Sequence, residues 1–174
     1  SEVEEAAERA KRLIDKLKES ADRSEKTARD LIRDLNRSTE EIAREARKLI
    51  EELKKAGADS KAVKEAAEIA KRAIDAARKS DEDAARIAKR AAEASREAVK
   101  RAAEIAERAI RAAEKGADVK KALEEVRRAA EEAEKADRKL NKEVKEAADR
   151  ARELNKKLAD EVRKAAKEAK EKAD

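Results

Sequence analysis

The chain has no histidine, cysteine, methionine, proline, phenylalanine, tyrosine or tryptophan, and only two glycines in 174 residues. Each absence removes a class of chemistry. Without cysteine there is no disulfide, no thiolate nucleophile and no thiolate metal site. Without histidine, the commonest metal ligand and the usual general base near neutral pH are gone. Without aromatics nothing stacks on a base or a sugar, and the usual anchors of a protein interface are missing. With glycine confined to Gly57 and Gly116, no glycine-rich phosphate loop or dinucleotide fingerprint can be written. No Glu-x-x-His pair exists for a di-iron site. No apolar run reaches the length of a membrane span, and no signal peptide is expected.

What is present is charge. Asp, Glu, Lys and Arg make up 52% of the chain, about twice the roughly 25% usual in globular domains. The balance is 48 basic against 43 acidic residues, a net +5. The signs alternate along the chain instead of forming blocks. A nucleic-acid binder gathers its Lys and Arg on one face or in a tail. The mixed pattern predicts a solvated surface, with no nucleic acid and no membrane as partner. The small excess of positive charge is the one feature favouring electrostatic binding to an anionic polymer or lipid. Such binding would vanish with modest salt.

The apolar residues recur in steps of three and four, which places them on one face of a helix. Val3, Ala7, Ala10, Ile14, Leu17, Ala21, Ala28, Leu31, Leu35, Ile42, Ala46, Leu49, Leu53 and Ala56 form the first stripe. The second is wider than one stripe needs: Val63, Ala66, Ala67, Ile69, Ala70, Ala73, Ile74, Ala76 and Ala77 cover its first turns, Ala84, Ala85, Ile87, Ala88, Ala91, Ala92, Ala94, Ala98 and Val99 its middle, and Ala102, Ala103, Ile105, Ala106, Ala109, Ile110, Ala112 and Ala113 its end. Val119, Leu123, Val126, Ala130, Ala133, Leu140, Val144, Ala147, Ala151, Leu154, Leu158, Val162, Ala165 and Ala169 make the third, narrower one. Two near-copies of one turn separate them: Gly57-Ala58-Asp59 and Gly116-Ala117-Asp118, 59 residues apart. Glycine at such a point ends a helix in a left-handed conformation, and the aspartate starts the next. Helices are therefore expected at about 2–56, 60–115 and 118–172, each roughly 80 Å long at 1.5 Å per residue. Turns this short make neighbours antiparallel. The fold class predicted is all-α, an up-down-up bundle of three long, nearly straight helices forming one domain over residues 1–174.

The polar residues within the stripes carry most information. In an antiparallel hairpin, opposing residues are equidistant from the turn. Ser20 then falls opposite Ser95, with Ser24 and Asn141 within about a turn. Ser38 falls near Ser80, and Ser80 near Asn155. Two polar layers are expected, each drawing on all three helices: Ser20, Ser24, Ser95 and Asn141, then Ser38, Ser80 and Asn155. Buried Asn or Ser costs roughly 1–3 kcal/mol if unbonded, but when paired across helices it fixes register and partner. Two alternatives remain open. The serines could be small spacers and the asparagines boundary residues. Ser38 with Glu41 and Ser80 with Asp83 also match capping boxes, which would break the chain into five shorter helices.

The repeated Gly-Ala-Asp turn, the saturation in Ala, Glu, Lys and Arg, the missing residue types and the matched polar layers together resemble de novo designed helical bundles. That resemblance covers the whole chain. It implies a protein whose purpose is its own structure: a scaffold, an assembly block or a binding module. No enzyme activity, cofactor, metal or small-molecule ligand is expected. The expected partner is none, or copies of the chain. The second of these rests on composition: Leu, Ile and Val number only 26, and the second helix carries more alanine than one stripe needs. A layer of partner helices on its Ala-rich face would supply the missing apolar area. Alternatively, alanine is there for helix propensity alone.

Overall fold

Two glycines set the limits of the helices. In the computed structural model, which describes residues 1–173, the chain folds as three helices in a three-helix bundle: α1 (Glu2–Lys55), α2 (Ser60–Glu114) and α3 (Val119–Ala173). No strand occurs among the described residues. Gly57 has φ +76° and Gly116 φ +106°, the left-handed half of backbone space that a side chain disfavours.

Both turns close with the same pair of hydrogen bonds. Ala58 N–H donates to the Leu53 carbonyl at 3.1 Å and Gly57 N–H to Lys54 at 3.2 Å. At the second turn Ala117 donates to Ala112 at 3.0 Å and Gly116 to Ala113 at 3.1 Å. These six-to-one and five-to-two bonds satisfy carbonyls that the helix end would leave bare. On the far side Asp118 Oδ1 accepts from Lys120 N–H at 3.0 Å, a side-chain cap. Asp59 holds the matching place before α2, where its carbonyl oxygen accepts from Val63 N–H at 2.9 Å. At the start of α1, Ser1 Oγ accepts from Glu4 N–H at 3.2 Å.

The helices run unbroken through Ser38 and Ser80. Along α2 the buried stripe advances 51 residues, from Ala62 to Ala113, in fourteen steps of three or four. The average is about 3.6 residues, the period of an uncoiled helix, where a heptad seam needs 3.5.

The contacts divide the chain into two compact units, each with segments of all three helices. The first comprises Ser1–Arg29 and Ile87–Lys145. Its core is one cluster running from Ala6 to Ala21 on α1, Val99 to Ala113 on α2 and Ala122 to Ala133 on α3. Ile14, Leu17, Val99, Ile110 and Val126 are its bulky members. The second unit comprises Asp30–Arg86 and α3 from Glu146 on. It holds two smaller clusters, one around Ala46, Ala73, Ala77, Leu158 and Val162, the other around Leu53, Val63, Ala66 and Ala166. Most buried positions are alanine. Alanine lets helix backbones approach closely but removes little apolar area from water, and that area sets the hydrophobic stabilisation. The accessible surface, 11890 Å², exceeds the roughly 8,500 Å² expected of a globular protein of this mass. The core is thin, so the few polar groups inside it weigh heavily.

Candidate functional site: two buried polar layers

In the first unit the apolar cluster stops at Ala21, Val99 and Ala133, and the next stripe positions are polar. Ser20, Ser24, Ser95 and Asn141 meet there, around a residue the sequence reading passed over: Asp137, 9% exposed. Ser95 Oγ donates to Asp137 Oδ1 at 2.8 Å. Ser24 and Ser20 donate to Oδ2 at 3.1 and 3.3 Å, and Asn141 Nδ2 reaches the same oxygen at 3.4 Å. Ser24 shares its proton with the Ser20 carbonyl at 2.9 Å and accepts from Asn141 Nδ2 at 2.9 Å. Asn141 itself is exposed and works from the rim. One carboxylate on α3 thus collects donors from α1, α2 and its own helix. A groove of about 450 Å³ beside it, lined by Leu17, Ser20, Val99 and Asp137, opens the layer to one side.

In the second unit the layer again follows where the apolar cluster ends, past Ala46, Ala77 and Leu158. Its members are Thr39, Asp81 and Asn155, each 2% exposed. Thr39 Oγ1 donates to Asp81 Oδ2 at 2.6 Å, and Asn155 Nδ2 donates to Thr39 Oγ1 at 3.3 Å. Asp81 Oδ1 and Asn155 Oδ1 are buried without a donor. Burial pushes the Asp81 carboxyl above the usual carboxylate range, and Thr39 and the neighbouring Asn155 amide offset only part of that. Ser38 and Ser80 are half-buried. Ser38 shares a shallow groove with Asn155; Ser80 is the helical neighbour of Asp81. The hydrogen-bonding positions are thus the residues one further along, Thr39 and Asp81. A one-residue step on a helix turns a side chain by about 100°, enough to trade the seam for its edge.

Thr39, Asp81 and Asp137 do carry a sequence signal. Asp81 lies four residues after Ala77 and three before Ala84; Asp137 lies four after Ala133 and three before Leu140. Both occupy stripe positions. Among 43 acidic residues they look like members of the solvated face, and only the spacing sets them apart.

Ion pairs brace each layer from outside. In the first unit Glu25 of α1 accepts from Arg29 at 2.7 Å and from Arg96 of α2. The Arg96 bond, more than its charge or that of Arg29, holds the Glu25 carboxyl below its ordinary range. In the second, Arg163 of α3 grips both oxygens of Glu45 of α1, at 2.7 and 3.0 Å. That bond lowers Glu45 in the same way. Arg78 reaches Glu40 at 3.4 Å.

Among the described residues no cluster of three or more Asp or Glu could hold a metal, and no helix is long and apolar enough to cross a membrane. The chain matches no family model, no curated protein and no solved structure.

Proposed function

We infer that the chain is a designed structural scaffold, with no reaction of its own, whose buried polar layers specify how its helices pack. One observation carries this reading: each layer takes a hydrogen-bonding group from α1, from α2 and from α3. Sliding any helix by one residue would rotate its member out of the layer and leave a buried carboxylate short of donors. An apolar core of alanines tolerates such a slip at little cost; a polar layer does not. The caps, the paired surface charges and the two equal turns are consistent with idealised helices.

The test replaces one layer by apolar residues of similar size: Thr39→Val, Asp81→Leu and Asn155→Leu together. The expected result is a higher unfolding midpoint with a loss of uniqueness, seen as several masses or as doubled amide resonances. A variant that is more stable and still gives one species with one set of resonances would remove specificity from the layers.

A second reading has its own observation. A groove of about 620 Å³ runs between α1 and α2 of the second unit, lined by Ala43, Ala46, Ile50, Ala67, Ala70 and Ile74. In this reading the chain is the protomer of an assembly that covers the Ala-rich face of α2, its partner being a copy of itself or a matched second chain.

A further inference from the structure

We propose that Asp81 is a proton-binding site, and that taking up one proton completes the layer it belongs to. The inference rests on the reading of that layer as a packing device and adds a regulator to it.

The argument begins with a count of donors. The layer has three side chains. Thr39 spends its only proton on Asp81 Oδ2; the Asn155 amide donates to Thr39 Oγ1 and, from beside Asp81, offsets a further part of the cost of burying it. Two acceptors, Asp81 Oδ1 and Asn155 Oδ1, remain buried without a donor. A buried acceptor left unbonded forfeits its hydration with nothing in return. A proton on Asp81 Oδ1 turns an unmet acceptor into a donor and removes the buried charge in the same step.

The layer of the first unit supplies the contrast. There too an aspartate is central, yet Ser95 serves one oxygen and Ser20, Ser24 and Asn141 the other. Both oxygens of Asp137 are met by donors. Asp81, more deeply buried, has one hydroxyl on Oδ2 with the Asn155 amide beside it, and nothing on Oδ1.

No cation makes up the difference. On α2 the charged residues within a turn of Asp81 are Arg78, Lys79, Glu82 and Asp83; on α1, Arg37, Glu40 and Glu41 flank Thr39; on α3, Arg152, Glu153, Lys156 and Lys157 flank Asn155. All eleven are exposed. Arg78 is engaged by Glu40 and Arg152 by Asp149 at 3.3 Å. No charged group figures among the influences on Asp81, which burial drives upward.

The sign follows. A carboxyl that holds its proton more tightly folded than unfolded stabilises the fold when protonated. The contribution is complete below the unfolded aspartate value, about 3.9, and is lost as pH rises through the folded value. Glu25 and Glu45, both lowered by arginine, behave oppositely.

The test uses the whole chain. Side-chain carboxyl ¹³C resonances are followed from pH 3 to 8, and guanidinium unfolding is measured over the same range for wild type and Asp81→Asn. Asp81 is expected to titrate above the ordinary aspartate value. The folding constant of wild type relative to Asp81→Asn should rise on acidification, about tenfold for each unit by which the carboxyl is raised. Titration at or below the ordinary value, or parallel unfolding curves for the two proteins, overturns the proposal. Should Asp81→Asn fail to fold, the resonance titration of the wild type decides alone. The packing reading fails separately: the apolar triple variant would remain one species while Asp81 of the wild type still titrated high.

Discussion

Ser95 alone reaches Asp137 Oδ1, whereas Oδ2 draws on Ser20, Ser24 and Asn141. Redundancy makes donors of one layer unequal. Ser95→Ala strips an oxygen of a buried carboxylate of its only bond and is expected to cost about 1.5–3 kcal/mol, the worth of a hydrogen bond to a charged group. Ser20→Ala leaves two donors on the other oxygen and should cost under about 0.5 kcal/mol. Guanidinium unfolding of the two variants checks the order; equal losses would mean the carboxylate does not organise the layer. In the second unit Thr39→Val removes the one hydroxyl that donates to Asp81 and should cost about as much as Ser95→Ala at pH 7. The loss should shrink in acid as Asp81 takes up a proton. Residues of this kind are only half legible in a sequence. Serine and asparagine stand out on an apolar stripe, so the first layer's neutral members can be read directly. Aspartate on the same stripe merges with the many aspartates of the polar face, and its role depends on one helical step that only packing fixes.

At the scale of the element, the turns are the most legible part of the chain, because two glycines in a proline-free sequence have few other uses. What the sequence cannot supply is that the two differ. A Cβ at Gly57 or at Gly116 would meet nothing within 4 Å, so substitution there is a matter of backbone conformation alone. Gly57, at φ +76°, lies close to the left-handed well near +57°, which asparagine tolerates. Gly116, at φ +106°, lies well beyond it. Gly57→Asn should therefore cost under about 0.5 kcal/mol and Gly116→Asn about 1–2 kcal/mol. Thermal unfolding followed by circular dichroism measures both, and a reversed order would refute the account. Helix continuity was harder to read. Ser80-Asp81-Glu82-Asp83 has the signature of a helix start. In the fold Asp81 turns inward to Thr39, and α2 continues through it. A capping signature and a buried polar layer use the same residue types, so composition alone does not separate them.

At the scale of the whole molecule, the ionisable groups pull in opposite directions. Above the ordinary glutamate value, near 4.3, the pairs of Glu25 with Arg96 and Glu45 with Arg163 contribute stability. That contribution is lost as pH falls through their lowered folded values. Asp81 gains over the interval above the ordinary aspartate value. The guanidinium midpoint should thus hold or rise from pH 7 to 5 and fall below about pH 4, where the remaining carboxylates protonate and positive self-repulsion grows. A steady loss from neutrality downward would contradict this. Solution mass decides between the two readings of purpose. Among the described residues the large apolar side chains left exposed are Ile69, 40% exposed, and Leu154, 36% exposed, and the exposed alanines include Ala76, Ala94 and Ala112 along α2. Alanines offer little area, and a specific interface needs roughly 1,000 Å² or more. Light scattering after size exclusion, tracked by refractive index because the chain has no Trp or Tyr, should therefore give a mass near 19.3 kDa. A clean multiple that Ile74→Glu returns to one chain would instead make the groove between α1 and α2 an interface. The polar layers would then fix the register of an assembly's building block, and the surplus alanine of α2 would be the contact surface it presents.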